Sequence, residues 1–248
     1  MAARRSLVRH PELWLYALAA CAGLALALGI VAPDAAPADH AHHQHQHHHH
    51  APTTTPLGSW LVEWRGWIVM VLAMMLPIVA PHARRIAMRS LWHRRHRAIA
   101  SFLAGYLAVW LSVGAILVGV LVAVGGTQPG PALLAAALLA AAAWQVARPR
   151  RRVMRRCGTL RPGAARGWQA DRDCTEAGVR IGLRCTFTCG PAMLAMAVGH
   201  SLALMAGLLA LLLTERARGP NPELRAGRPL EAWCLVAFAA VAGLVATA

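Results

Sequence analysis

The stretch WLVEWRGWIVMVLAMMLPIVAP, Trp60 to Pro81, decides the fold of this chain. Its two charged residues, Glu63 and Arg65, lie near its start, and the remainder is almost continuously apolar. A helix of about 20 such residues covers the hydrocarbon core of a bilayer. The stretch therefore predicts a helix that crosses a membrane.

Further apolar stretches lie on both sides of it. The chain has 248 residues, of which 57% are hydrophobic, and a mean hydropathy of +0.46. The other candidate membrane segments are Leu13 to Ala32, Ile99 to Val124, Pro131 to Ala147, Cys185 to Leu213 and Leu230 to Ala248. Apolar blocks of this length favour an all-α fold, a polytopic transmembrane bundle of about six helices. The bundle occupies residues 60–248, and residues 1–32 form an N-terminal transmembrane helix or a signal-like segment.

The basic residues predict how this bundle is oriented. All 25 of them are arginine, and the net charge is +15. With the amino terminus in the cytoplasm, 20 arginines fall in inside segments, chiefly the Arg-rich loops 82–98 and 148–184, and four fall outside between Arg216 and Arg228. Positive residues concentrate in cytoplasmic loops, so we expect a multi-pass protein of the inner membrane with a cytoplasmic amino terminus. Lipid headgroups of the bilayer suffice as partners for these arginines, and nucleic-acid binding is not expected.

A histidine-rich stretch, HAHHQHQHHHH, lies in the extracytoplasmic loop 33–59 under this topology. The loop is rich in Pro, Ala and Thr without apolar periodicity, which predicts disorder. Neutral imidazole binds copper, zinc, nickel and cobalt. The candidate ligands are His40, His42, His43, His45, His47, His48, His49 and His50. We expect the loop to collect metal with little selectivity, because selectivity requires fixed geometry; a loop that only improves solubility is the alternative.

The opening stretch also contains three methionines. Met70 and Met74 share a helix face that continues to Pro77 and Pro81, while Met75 lies about 100° away. The prolines predict a kink and free carbonyl groups in the preceding turn. Thioethers are soft and neutral, so they can hold Cu(I) where charges are costly, although methionine is also an ordinary core residue.

Residues 173–200, DCTEAGVRIGLRCTFTCGPAMLAMAVGH, concentrate soft ligands on one helix face. At about 100° per residue, one sector of the helix holds Cys174, Gly178, Gly182, Cys185, Cys189, Met193, Met196 and His200. The glycines predict the close approach of a neighbouring helix. Gly190 and Pro191 predict an unwound turn after Cys189 with exposed carbonyl groups.

Alternatives remain open for several of these residues. Cys185 and Cys189 predict a soft-metal site rather than a disulfide, because they lie near the reducing cytoplasm. A four-cysteine zinc site with Cys157 and Cys174 is the alternative, although spacings of 17, 11 and 4 residues match no common zinc knuckle. His200 is either a ligand or a hydrogen-bonding residue between helices.

Four stretches resemble a bacterial family of predicted metal-binding integral membrane proteins, also labelled copper chaperones. They are WIVMVLAMMLPIVAP, GYLAVW, WQVARP and AGVRIGLRCTFTCGPAMLAM, and the resemblance covers roughly residues 60–215. It implies metal binding at Met70, Met74, Met75, Cys185 and Cys189. The family commonly has adjacent cysteines followed by tryptophan, whereas the second thiol here lies four residues after the first. The histidine-rich stretch lies outside the resemblance.

These patterns predict an integral membrane protein that handles or delivers copper. Histidines would gather the ion outside, and sulfur ligands in the bundle would hold it or pass it on. A nickel, cobalt or zinc transporter is one alternative, disfavoured because the interiors of the apolar segments contain no Asp or Glu. An assembly subunit that serves a periplasmic or membrane metalloprotein is another. We expect no enzymatic activity, since no catalytic triad, phosphate loop or paired carboxylates stand out.

Overall fold

The protein is built from helices. The computed structural model describes residues 11–30, 56–123, 131–156, 167–198, 201–217 and 230–247. Across these ranges the chain forms α-helices, a short 3-10 turn at Trp92–Arg94 and no strand. The helices are α1 (Leu13–Ala27), α2 (Pro56–Arg89), α3 (Arg95–Ala123), α4 (Pro131–Val146), α5 (Arg148–Arg156), α6 (Gly167–Val198), α7 (Leu202–Ala217) and α8 (Leu230–Thr247). The predicted all-α class is confirmed for the described ranges, whereas these eight helices exceed the six expected.

The first helix is shorter than its apolar segment. α1 ends at Ala27, and Gly29 follows with a φ of 66°, a backbone conformation that favours glycine and closes the helix. Its 15 residues extend about 22 Å, against about 30 Å for a bilayer core. Leu15 and Ala19 are buried, and α1 packs on α2. α1 is therefore a packed member of the bundle.

Both segments predicted to be Arg-rich loops are largely helical. In 82–98, α2 continues to Arg89 because Ala83 and Ala87 bury an apolar face beneath the exposed arginines. α2 also runs through Pro77 and Pro81 as one helix. In 148–184, α5 and the first half of α6 are helical, and α5 bends away from α4 by 64°. The expectation of loops at these positions is wrong in the described residues.

The predicted helix Cys185 to Leu213 is divided between two elements. α6 begins at Gly167 and ends at Val198, and α7 begins at Leu202. The charged start of α6 is helical because Glu176 pairs with Arg172 and Arg180 along it, while another face packs on α3. The prediction of one uninterrupted helix over Cys185 to Leu213 is therefore wrong.

Two helical stretches, Leu57–Arg89 and Trp92–Ala123, are long and apolar enough to cross a membrane. The bent pair of α4 and α5 adds a third if it is counted as one broken span. Only 22% of the apolar window of α3 is buried inside the bundle, and Ile116 and Val120 are exposed on its surface. Lipid tails accept such an apolar surface.

α3 packs between α2 and α6. On one side, a Cβ atom at Gly178 of α6 would overlap the carbonyl of Phe102, and a Cβ atom at Gly105 of α3 would overlap that of Thr175. A Cβ atom at Gly182 would also press on α3. The predicted close approach at the α6 glycines is thus confirmed, and the backbones of α3 and α6 touch.

The indole ring of Trp67 joins α2 to α3. Trp67 of α2 lies over Gly114 of α3, where any Cβ atom would collide with the ring. Its Nε1 donates a hydrogen bond to the Trp110 carbonyl at 3.1 Å. Residues of α1, α2, α3, α4, α6, α7 and α8 share a single hydrophobic core.

Candidate metal centre

Two thiols lie side by side in the core of the bundle. Cys185 and Cys189 are one turn apart on α6, with 1% and 4% of their surfaces exposed. Their Sγ atoms are 4.0 Å apart, and both residues are free cysteines. The predicted stripe therefore turns its thiols inward, toward α3 and α7, and away from the surface that lipid would cover.

The five methionines predicted as ligands are also buried. They are Met70, Met74 and Met75 in α2 and Met193 and Met196 in α6. Met193 follows Cys189 by one turn, about 6 Å along the helix axis, and Met196 follows by two. Met75 is buried despite its different face, because α1, α3 and α7 all pack on α2. All five share the core cluster that contains the thiols.

Polar side chains of α3, α6 and α7 surround the thiols. The hydroxyl of Tyr106, in the GYLAVW stretch of α3, donates a hydrogen bond to Cys185 Sγ at 3.3 Å. Nη2 of Arg216, near the end of α7, lies 3.9 Å from the same sulfur. The hydroxyl of Thr188, on α6 itself, lies 3.6 Å from Cys189 Sγ. Sequence reasoning missed Tyr106 and Arg216, since no local pattern connects them to the thiols.

α2 contributes a histidine, His82, to the polar side chains near the thiols. His82 is 5% exposed, and its Nδ1 lies 3.5 Å from Nη1 of Arg216. A guanidinium carries only donors, so a hydrogen bond here requires Nδ1 to be the acceptor. The sequence offered a weak signal for His82, a polar residue directly after the apolar stretch of α2.

A buried ion pair supports the centre from one side. Arg150 of α5 binds Glu215 of α7 through two hydrogen bonds of 2.8 and 2.7 Å, and both residues are buried. Arg150 Nε also donates to the Thr188 carbonyl at 3.0 Å. The interior therefore contains a carboxylate, which corrects the expectation that it has none. Glu215 was overlooked because it lies two residues beyond an apolar segment.

The same ion pair joins two segments that the predicted topology separates. That topology places Arg150 in a cytoplasmic loop and Glu215 and Arg216 on the outer side. Side chains within hydrogen-bonding distance cannot lie on opposite sides of a membrane. α6 and α7 instead form a hairpin that returns the chain to the level of Cys185.

α6 remains helical where unwinding was predicted. Pro191 has no N–H to donate to the carbonyl of Phe187, four residues earlier. Trp144 Nε1, from the WQVARP stretch at the end of α4, donates to that carbonyl at 2.9 Å. The freed carbonyl is satisfied from outside, so the helix continues to Val198. The expected break at Gly190 and Pro191 is wrong.

The four-cysteine zinc site gains no support from Cys174. This residue lies half-buried on α6, nearly three turns before Cys185. Burial, together with the nearby carboxylate of Asp171, raises the pKa of its thiol. Cys157, the fourth member, lies outside the described residues.

A model of the copper chaperone family PpoB2 matches residues 64–245. The chain belongs to this family. The match begins within α2 and ends within α8, so it includes the thiols, the five methionines, Tyr106 and Arg216. Comparison with curated proteins and with solved structures gives no significant match.

Membership of the PpoB2 family supports a role in copper handling. Copper is also the metal that the sulfur residues predict. The match excludes α1 and the histidine-rich stretch. His200 and the histidines from His40 to His50 lie outside the described residues. Among the residues that are described, no group of three or more His, Cys, Asp or Glu side chains converges on one point. The candidate centre is thus a two-thiol site with sulfur and polar neighbours.

Proposed function

We propose that this protein is an integral membrane copper chaperone that holds Cu(I) between the thiolates of Cys185 and Cys189. One observation carries the proposal: two buried thiols on adjacent turns have sulfur atoms 4.0 Å apart. Thiolate is a soft ligand suited to Cu(I). Metal–sulfur bonds are about 2.3 Å long in zinc sites, so one ion of similar size can contact both atoms. Family membership supports copper as the cargo.

Two neighbouring side chains would stabilise a thiolate at Cys185 once a metal ion displaces its proton. Tyr106 donates a hydrogen bond to Cys185, and the Arg216 guanidinium lies beside the same sulfur. A thiolate in an apolar bundle requires such compensation, because an isolated buried charge is costly. The thioethers of Met193 and Met196 extend the site along α6 as neutral ligands.

We place the bundle in the inner membrane as a multi-pass protein with a cytoplasmic amino terminus. The lengths of α2 and α3 and their apolar surfaces support membrane insertion. The hairpin of α6 and α7 moves residues 214–229 to the side of the Arg-rich segments. With this change, 24 of the 25 arginines lie on the cytoplasmic side, with Arg65 as the exception. The positive-inside rule favours this arrangement over the one predicted from apolar segments alone.

Copper reaches the thiols from the outer side in this proposal. The histidine-rich loop is extracytoplasmic and gathers copper ions, with nickel, cobalt or zinc as weaker competitors for its imidazoles. Met70, Met74, Met75, Met193, Met196 and His200 are the neutral ligands between that loop and the thiols. Weak ligands permit transfer, because no site holds the ion too tightly. The recipient is a periplasmic or membrane metalloprotein.

Substitution of the thiols tests the proposal directly. Full-length protein with Cys185→Ser and Cys189→Ser is titrated with Cu(I) against a chromogenic Cu(I) chelator. Cys21→Ser with Cys234→Ser is the matched control, since these two cysteines are exposed. We expect the first pair to lose one tightly held Cu(I) and the control to keep it. Equal Cu(I) retention in both variants would overturn the proposal.

Removal of residues 40–50 separates copper collection by the histidine-rich loop from copper binding at the thiols. This deletion is expected to abolish loosely held copper, which dialysis removes, and to leave the tightly held ion in place. Loss of the tight ion on deletion would contradict the assignment of that ion to Cys185 and Cys189.

A further inference from the structure

The thiol site has a positively charged neighbour, Arg216, which the expected ligand set does not use. Its Nη2 lies 3.9 Å from Cys185 Sγ, and its Nη1 lies 3.5 Å from Nδ1 of His82. The side chain therefore points from α7 toward Cys185, and the ring of His82 lies beside its other terminal nitrogen. A metal ion held by both thiols would lie within a few ångströms of this guanidinium.

A fixed positive charge acts more strongly on a divalent ion than on a monovalent one. The repulsion between two charges is proportional to their product, so a neighbouring guanidinium opposes a 2+ ion twice as strongly as a 1+ ion. The effect is large where water is excluded, because the effective dielectric constant is low there. This comparison holds whatever other charges surround the site, since they are the same for both ions.

We propose that Arg216 makes the Cys185–Cys189 site selective for monovalent soft cations over divalent ions that also prefer sulfur. The inference rests on the proposed function, because it assumes that both thiolates bind the ion. Two thiolates and one guanidinium together carry a charge of −1, which a single Cu(I) or Ag(I) ion neutralises. A Zn²⁺ or Cd²⁺ ion would leave an excess positive charge in the core.

The carboxylate next to Arg216 in sequence faces a different arginine. Glu215 is bound by both Nη atoms of Arg150 and lies with it on the α5 side of α7. Arg216 is accordingly a specificity-determining residue rather than a ligand.

Titrations with a monovalent and a divalent metal ion measure this selectivity. The full-length protein in detergent is titrated with Ag(I) and with Cd²⁺, and thiolate-to-metal charge-transfer absorbance gives the two dissociation constants. We expect Arg216→Gln to shift the ratio of these constants toward Cd²⁺ by about tenfold or more. Arg216→Lys, which keeps the charge, should restore most of the wild-type ratio. Arg180→Gln is the matched control, since Arg180 pairs with Glu176 on an exposed face of α6.

A second variant covers the case in which Arg216→Gln does not fold. His82→Glu introduces a carboxylate that faces the guanidinium and neutralises it, and it should shift the ratio in the same direction. An unchanged ratio in the folded variants, while both metals bind the wild type, would overturn the role of Arg216. Failure of the wild type to bind either metal through its thiols would overturn the proposed function itself.

Discussion

The residues that surround Cys185 resolve a problem that any buried thiolate creates. A negative charge in an apolar bundle is costly unless hydrogen bonds or an opposite charge compensate it. Tyr106 supplies a hydroxyl from α3, and Arg216 supplies a guanidinium from α7. The thiol at Cys185 is thus contacted from two helices other than its own, which suits a site that must form an anion.

Removal of the Tyr106 hydroxyl should weaken copper binding without abolishing it. In Tyr106→Phe the ring still fills its buried position, and only the hydrogen bond to Cys185 is lost. Such a bond contributes about 0.5–1.5 kcal/mol, so we expect the dissociation constant for Cu(I) to rise about two- to tenfold. Titration against a Cu(I) chelator measures the change.

Tyr16→Phe is the control for this prediction, because Tyr16 is exposed on α1. Its Cu(I) affinity should equal that of the wild type. An unaltered affinity in Tyr106→Phe would show that the hydroxyl does not stabilise the bound thiolate.

At the scale of the element, α6 illustrates how neighbours decide what a local pattern leaves open. Gly190 and Pro191 would end many helices, yet Trp144 binds the carbonyl that Pro191 leaves without a donor. The charged first half of α6 would suit a solvated loop, yet Gly178 lets it press on the backbone of α3. Contacts with other helices therefore keep α6 helical through its proline and through its charged first half.

Gly178→Ala should destabilise the contact between α3 and α6. The new Cβ atom would overlap the Phe102 carbonyl, a backbone atom that cannot rotate away. Overpacking of this kind costs about 1–3 kcal/mol in the free energy of unfolding. Denaturation of the purified protein in mixed micelles, followed by circular dichroism, measures the loss.

Gly190→Ala provides the comparison on the same helix, since nothing lies within 4 Å of a Cβ atom there. It should be neutral or stabilise the protein by up to about 1 kcal/mol, because alanine favours helix more than glycine does. Equal destabilisation by both substitutions would contradict the steric argument.

For the whole molecule, the pairing of Arg150 with Glu215 brings the end of α7 back to α5. α6 and α7 act as the two arms of a hairpin. Under the proposed membrane placement, the chain would therefore cross one additional time compared with a single helix over Cys185 to Leu213, and Arg216 would share the side of α5.

Labelling of single cysteines tests this arrangement. In a background with Cys21, Cys157, Cys174 and Cys234 replaced by serine, the native cysteines that remain, Cys185 and Cys189, are buried. Arg151→Cys and Ala217→Cys should then react with a membrane-impermeant maleimide from the cytoplasmic side. Leu57→Cys, exposed near the start of α2, should react from the opposite side. Reaction of Ala217→Cys from the same side as Leu57→Cys would restore the topology predicted from the apolar segments.

The sequence predicts those features that depend on neighbours along the chain. The helical character of each apolar segment follows from composition, and the inward stripe of Cys185, Cys189 and Met193 follows from the helical repeat. Tyr106, Arg150 and Arg216 could not be predicted, because their contacts join residues 79, 65 and 31 positions from their partners. The reversal between α6 and α7 was missed because only three residues, Gly199, His200 and Ser201, interrupt the apolar sequence there.

The close approach of the two backbones at Gly178 and Gly105 opposes rotation of α6 about its axis. Turning α6 about its axis would bring the larger side chains beside Gly178 against the Phe102 carbonyl, so shape alone holds the cysteines inward. Interlocking of this kind does not weaken as ionic strength rises. The cysteine face of α6 should accordingly keep its direction in concentrated salt, where exposed ion pairs weaken.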